Sequence, residues 1–332
     1  MKKTAFFLAF ISALSVISCD QDIDLTADWK DIPIVYGLLN AADTAHYIRV
    51  EKAFQDQNGN AFLAAMEPDS LYYTNATVRL LNLTTGKEAV LQKVDGAAEG
   101  YPREEGDFAQ VPNYLYKVRK SDFPISGGDE VRFTLERGDQ LEAVTAECVV
   151  LDEIVPQSLT PGAKLDFPTN RDVSFRWRAG EEARIFDLSL VIHYDEKLSN
   201  DPNVQQKELV WHIAKNLKKT DSSPIISAKV FGLEFYNYLA DHIEVIPGAT
   251  RLLTGIDVEI KGGGEAVEQY ISIALANTGI TSAQEIPVYT NLSEGLGIFT
   301  SVVETRVIGL TLTADSDNYL STSEITQALN FQ

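Results

Sequence analysis

Short runs of β-branched and aromatic residues, punctuated by Gly, Asn, Asp and Pro, fill the chain from Ile32 onward. That pattern admits little besides an all-β fold with minor helix. In Glu130-Val131-Arg132-Phe133-Thr134-Leu135-Glu136 the apolar residues take one face and the polar residues the other, as a strand with one packed and one wet face requires. Strands are predicted over 32–39, 46–53, 76–83, 88–94, 114–119, 130–136 and 141–150, with turn chemistry at Asn58-Gly59, Thr85-Gly86, Gly127-Gly128-Asp129 and Gly138-Asp139. This series suits an immunoglobulin-like β-sandwich over 32–152.

Pro156, Pro161 and Gly162 mark a connection, and 153–332 is expected to form a second, fibronectin type III-like β-sandwich in tandem with the first. Its predicted strands are 173–178, 184–194, 208–217, 251–261, 270–276 and 297–312. Phe175 and Trp177 share the face that presents a core tryptophan. Val230, Phe231, Leu233, Phe235, Tyr238 and Leu239 fall at helical spacing, so an inserted helix is expected near 228–242. Ser321 and Glu324 stand at capping-box spacing ahead of a short closing helix over 325–329. The 332 residues suffice for two such cores.

Lys2 and Lys3 precede an uncharged, mostly apolar run from Thr4 to Ser18, too short to span a bilayer, which needs about 20 residues. Residues 1–18 are therefore predicted to be a signal peptide. Val16-Ile17-Ser18-Cys19 resembles the bacterial lipobox, which implies cleavage between Ser18 and Cys19 and lipidation of Cys19. Acyl chains contribute about 0.8 kcal/mol per buried methylene, so such an anchor is permanent. The alternative is an ordinary secretory signal with Cys19 an incidental thiol. Asp20, Asp22 and Asp24 resemble the surface-export signal of Bacteroidota lipoproteins, and 19–31 reads as a tether. The expected location is the outer membrane, lipid-anchored, with the cell surface favoured over the periplasmic leaflet.

With 48 Asp and Glu against 28 Lys and Arg, the net charge is -20, which excludes a nucleic-acid partner. His46, His193, His212 and His242 form no zinc-ligand spacing, and neither a nucleophile elbow nor a phosphate loop is present. No cofactor, metal or catalytic residue is implied. Cys148 lies in a strand-like run and reads as a small buried hydrophobe. Asp56, Asn58 and Asn60 offer loop oxygens for weak calcium binding, although Ala61 and Pro68 spoil an EF-hand; a polar hairpin turn is the other reading. Asp43-Thr44-Ala45 and Asp69-Ser70-Leu71 resemble the Bacteroidota O-glycosylation acceptor, placing candidate loop glycans on Thr44 and Ser70. Gly262-Gly263-Gly264 reads as a turn.

The strands Ile32–Leu39, Ala45–Val50 and Ala76–Leu80, together with Val288-Tyr289-Thr290-Asn291-Leu292-Ser293-Glu294-Gly295-Leu296-Gly297-Ile298-Phe299, resemble the Bacteroidota DUF4249 outer-membrane lipoproteins, an uncharacterised family. Thr290 departs from that family's usual Ser. Physically the stretch predicts a glycine-assisted turn delivering Phe299 into a core. The resemblance implies a fold and an address but no active site. The expected function is a non-enzymatic binding or accessory module for an outer-membrane protein such as a TonB-dependent transporter. The alternatives are a surface glycan-binding lipoprotein using Trp211, Tyr236 or Tyr238, and a hydrolase built from loop carboxylates.

Overall fold

The computed structural model describes residues 31–53, 63, 65–138, 141–199, 201, 203–219, 223–277 and 288–332. The expectations for residues 1–30, lipidation of Cys19 and cleavage after Ser18 among them, lie outside the described residues. So does the calcium expectation at Asp56, Asn58 and Asn60.

The described chain is mostly β. A first sandwich sets β1 (Pro33–Leu39), β2 (Ala45–Lys52), β5 (Gln92–Asp95) and β6 (Tyr114–Arg119) against a four-stranded sheet. The latter runs in the order β4 (Glu88–Val90), β3 (Thr77–Asn82), β7 (Glu130–Glu136), β8 (Val144–Val149). Val35, Ile48 and Val118 from one layer meet Leu80, Phe133 and Val144 from the other, all buried. A second sandwich sets β12 (Ile185–Lys197), β13 (Val204–Lys218) and β15 (Thr250–Gly263) against β14 (Ile225–Phe231), β11 (Asp172–Arg178) and β9 (Val155–Gln157). Its core holds Trp177, Leu190, Ile192, Ile256 and Val258, so Trp177 sits where the alternation of β11 puts it.

One strand serves both sandwiches. β16 (Leu296–Leu312) pairs in parallel with β1 over Leu296–Ser301, then antiparallel with β15 from Val302 onward, and finally with the short β10 (Lys164–Leu165). The result is a single nine-stranded sheet. At the exchange of neighbours the buried Ser301 hydroxyl donates to the Leu39 carbonyl at 2.9 Å and accepts from the Leu151 amide at 3.0 Å. The glycine-assisted turn forms as expected: Gly295 and Gly297 have φ of 104° and 98°, and a Cβ on Gly297 would stand 1.9 Å from the Val35 carbonyl oxygen. Asn291 pairs with Phe299 as a strand would, accepting its N–H at 3.0 Å and donating to its C=O at 2.7 Å. Phe299 ends fully buried in the first core, its ring tilted against that of Phe133 with centroids 5.5 Å apart, a burial that contributes roughly 1.5–3 kcal/mol.

Several expectations change. The predicted strand 88–94 is two strands in different sheets: Leu91 turns inward between β4 and β5 and carries the chain across the sandwich. The run 270–276 lies in helix α3 (Glu265–Asn277), preceded along the chain by α1 (Pro68–Leu71) and α2 (Leu233–His242). Helix α2 begins at Leu233, because the residues before it, expected as its first turn, end β14. Gly232 divides the two where a Cβ would stand 2.1 Å from the Pro168 carbonyl. Toward the C-terminus, α4 (Ala314–Thr322) is capped by Thr313, whose hydroxyl accepts from the Ser316 amide at 3.4 Å, while 325–329 forms only a 3₁₀ turn. Gly262 and Gly263 belong to β15 rather than a turn, bare because Phe186, Val303 and Val267 press on them.

Candidate functional site

The seam between the sandwiches opens into a cleft of about 460 Å³. Each wall is set by a strand end or a helix start. Glu130 opens β7 and Glu147 and Cys148 lie near the end of β8; Glu182 lies in the turn between β11 and β12; Gly264 precedes α3, which Glu265 and Ala266 begin. Tyr289 and Asn291 come from the turn before β16, and Thr300 from β16 itself.

Its electrostatics are one-sided. Glu147 is paired with Arg132 at 2.6 Å on the exposed side. Among the described residues Glu130, Glu182 and Glu265 have no ion-pair partner, and no Lys or Arg lines the cleft. The Tyr289 phenol is pushed above its ordinary value, first by burial and then by the charge of Glu265. Burial pushes the Cys148 thiol up to about 12, leaving it protonated and unreactive at neutral pH. On the cleft floor Thr300 is only 3% exposed.

Away from the seam, on the outer face of the nine-stranded sheet, titratable groups meet in pairs. Asp257 accepts from Arg306 (2.8 Å), His193 (3.1 Å) and the Gly309 amide (2.7 Å). Burial works against its charge, but these donors together hold its carboxyl below the usual range. Ser189 and His212 face each other across β12 and β13 at 2.8 Å. A serine nucleophile would need a third group to orient its histidine and an oxyanion site. Among the described residues His212 has Ser189 alone, on an open strand surface. No group of three or more His, Cys, Asp and Glu among the described residues is placed to hold a metal ion.

The remaining expected site residues scatter. Thr44 is exposed in the turn before β2, as expected, whereas Ser70 lies half-buried in α1 rather than on a loop. The candidate sugar-stacking residues belong to the second core: Trp211 and Tyr236 are buried, and Tyr238 lies against Trp211 and His242 while donating to the Val210 carbonyl at 2.6 Å. A glycan reading therefore cannot rest on them. The cleft residues gave no sequence signal, since Glu130, Glu182, Glu265 and Thr300 converge from four distant segments. Only the turn 288–299 pointed toward the region.

Among the described residues no helix is long and apolar enough to cross a membrane. No family model matches the chain, and no curated protein matches it. Among solved structures, the chain is similar to the FN1–FN3 domains of chicken CNTN1, with 9% identity, a TM-score of 0.19, and 84% of this chain and 65% of that chain covered. It thus spans less than two thirds of that chain. It is also similar to CBD12 from CALX1.2, with 10% identity, a TM-score of 0.20, and 84% and 99% covered. For DIP-gamma IG1+IG2 the values are 7%, 0.17, and 85% and 97%. Similarity at this level says nothing of activity, and the β-sandwich architecture stands on the strands and cores described above.

Proposed function

We propose that the chain is a non-enzymatic binding module of the cell envelope, anchored by lipid on Cys19 and docking through the seam cleft onto an outer-membrane protein such as a TonB-dependent transporter. The observation that carries the docking is the cleft itself: a 460 Å³ recess with carboxylates that nothing in the described chain neutralises, beside a thiol that burial keeps protonated. Unneutralised charge beside a recess suits recognition, whereas turnover needs a nucleophile and base in contact. The anchor rests on Val16-Ile17-Ser18-Cys19 and the acidic residues after it.

A photo-crosslinking residue at Ala266, expressed in the native bacterium, tests the docking. The expected product is an adduct with an integral outer-membrane protein, identified by mass spectrometry; adducts no different from those of a crosslinker on the exposed Val204 overturn it. For the anchor, Cys19→Ala is expected to move the protein from membrane to soluble fractions, and unchanged membrane fractionation overturns it.

A further inference from the structure

We infer that the seam cleft is a receptor for an organic cation, namely the guanidinium or ammonium group of an arginine or lysine side chain. The inference rests on the docking reading and names the chemistry of what docks. Two independent observations support it. The first is the set of carboxylates without an ion-pair partner among the described residues, Glu130, Glu182 and Glu265, around a recess that no described Lys or Arg lines. The second is the Thr300 hydroxyl on the floor. Thr300 is 97% buried, from its 3% exposure, and its side chain has no hydrogen-bond partner among the described residues. Its Oγ1 faces the cleft wall, 3.7 Å from where a Cβ on Gly264 would stand.

The hydroxyl is not sealed off: it keeps contact with the cleft, where a ligand or water meets it. An N–H donor entering the cleft would do so while its positive charge met the carboxylates, and Tyr289 on the wall adds an aromatic ring to which cations are attracted. The start of α3 presents partial positive charge that would oppose a cation. Glu265 in that first turn carries an unpaired negative charge against it, while Glu268 is paired with Lys218 at 3.2 Å, so the balance favours the cation. An anion would meet the same carboxylates and the -20 charge of the chain. A metal ion would need three or more ligands placed together, and none are so placed among the described residues. The volume admits a whole arginine side chain.

Calorimetric titration of argininamide into the detergent-solubilised full chain tests this, with citrullinamide as the neutral isostere. The expected result is saturable one-to-one binding of argininamide, weakened by added salt, and none of citrullinamide. Glu182→Gln and Glu265→Gln should each weaken it about tenfold. Both carboxylates are exposed, so the variants fold. Thr300→Val should weaken binding and Thr300→Ser should retain it. No binding of argininamide, equal binding of citrullinamide, or affinities unmoved in the carboxylate variants would each overturn the inference. If the Ala266 adduct persists in the Glu182→Gln/Glu265→Gln double variant, docking stands and cation recognition falls. If argininamide binds as expected while Ala266 captures no membrane protein, the reverse holds.

Discussion

Carboxylates in the second sandwich and carboxylates at the seam obey different rules. Glu196 is buried and held by Arg251 at 2.6 Å, while Arg251 also donates to the carbonyls of Leu329 and Glu244 and so ties down the C-terminus. Asp257 and Glu259 share Arg306. Around the cleft, Glu130, Glu182 and Glu265 stand in solvent with nothing opposite. The difference teaches which charges the fold needs: the first group is part of the packing, and the second is free for a partner.

The strongest way to break this contrast is Arg251→Ala. It leaves the buried Glu196 with only the distant Lys207, 3.9 Å away, and a loss of about 3–5 kcal/mol is expected in urea denaturation; a loss below about 1 kcal/mol would place Glu196 with the seam group. An acid titration comes next, because the first sandwich holds its own uncompensated polar group. His46 is 1% exposed with neither ring nitrogen partnered among the described residues, and burial, helped by Lys120, lowers it from 6.5 to about 4. The unfolded chain protonates His46 at 6.5 and the folded chain only near 4, so stability is whole above 6.5 and falls as pH drops toward 4, by up to about 3 kcal/mol. His46→Leu should flatten that window.

Smaller is Arg306→Ala, expected to cost about 1 kcal/mol because the guanidinium is partly exposed. Asp257, with its lowered pKa, stabilises the fold above the ordinary 3.8 and loses that contribution as pH falls through its folded value. Removing Arg306 should move that loss to higher pH, measured by acid denaturation. Smallest is Glu182→Gln or Glu265→Gln, where the melting free energy should stay within about 0.5 kcal/mol of the parent. A cost near that of Arg306→Ala would show that these carboxylates serve the fold after all.

Strands that alternate cleanly were legible in the sequence: β7 has the same bounds in prediction and structure, and Trp177 and Phe299 sit where their neighbours direct them. Helix α3 was not. Ile271, Ile273 and Leu275 alternate as a strand would, yet Val267 and Ile271 are also one helical turn apart and together line a second cavity of about 240 Å³ over β12 and β15. Local pattern cannot separate the two periods in so short an apolar run. Leu91 was missed for a related reason, since one inward residue changes sheets without breaking the β pattern. The cleft was illegible in principle, because nothing local links Glu130 to Glu265.

The sharing of β16 sets an order on biogenesis. The ring of Phe299 fills the interior of a body whose other walls, Leu292 apart, come from residues 35–150, so that body stays unfinished until the segment around residue 299 has been made. A fragment ending at residue 152 would carry a hole the size of a phenylalanine and an unpaired edge along β1, open to any other strand. Completion by its own distant segment makes assembly of the first sandwich wait for β16.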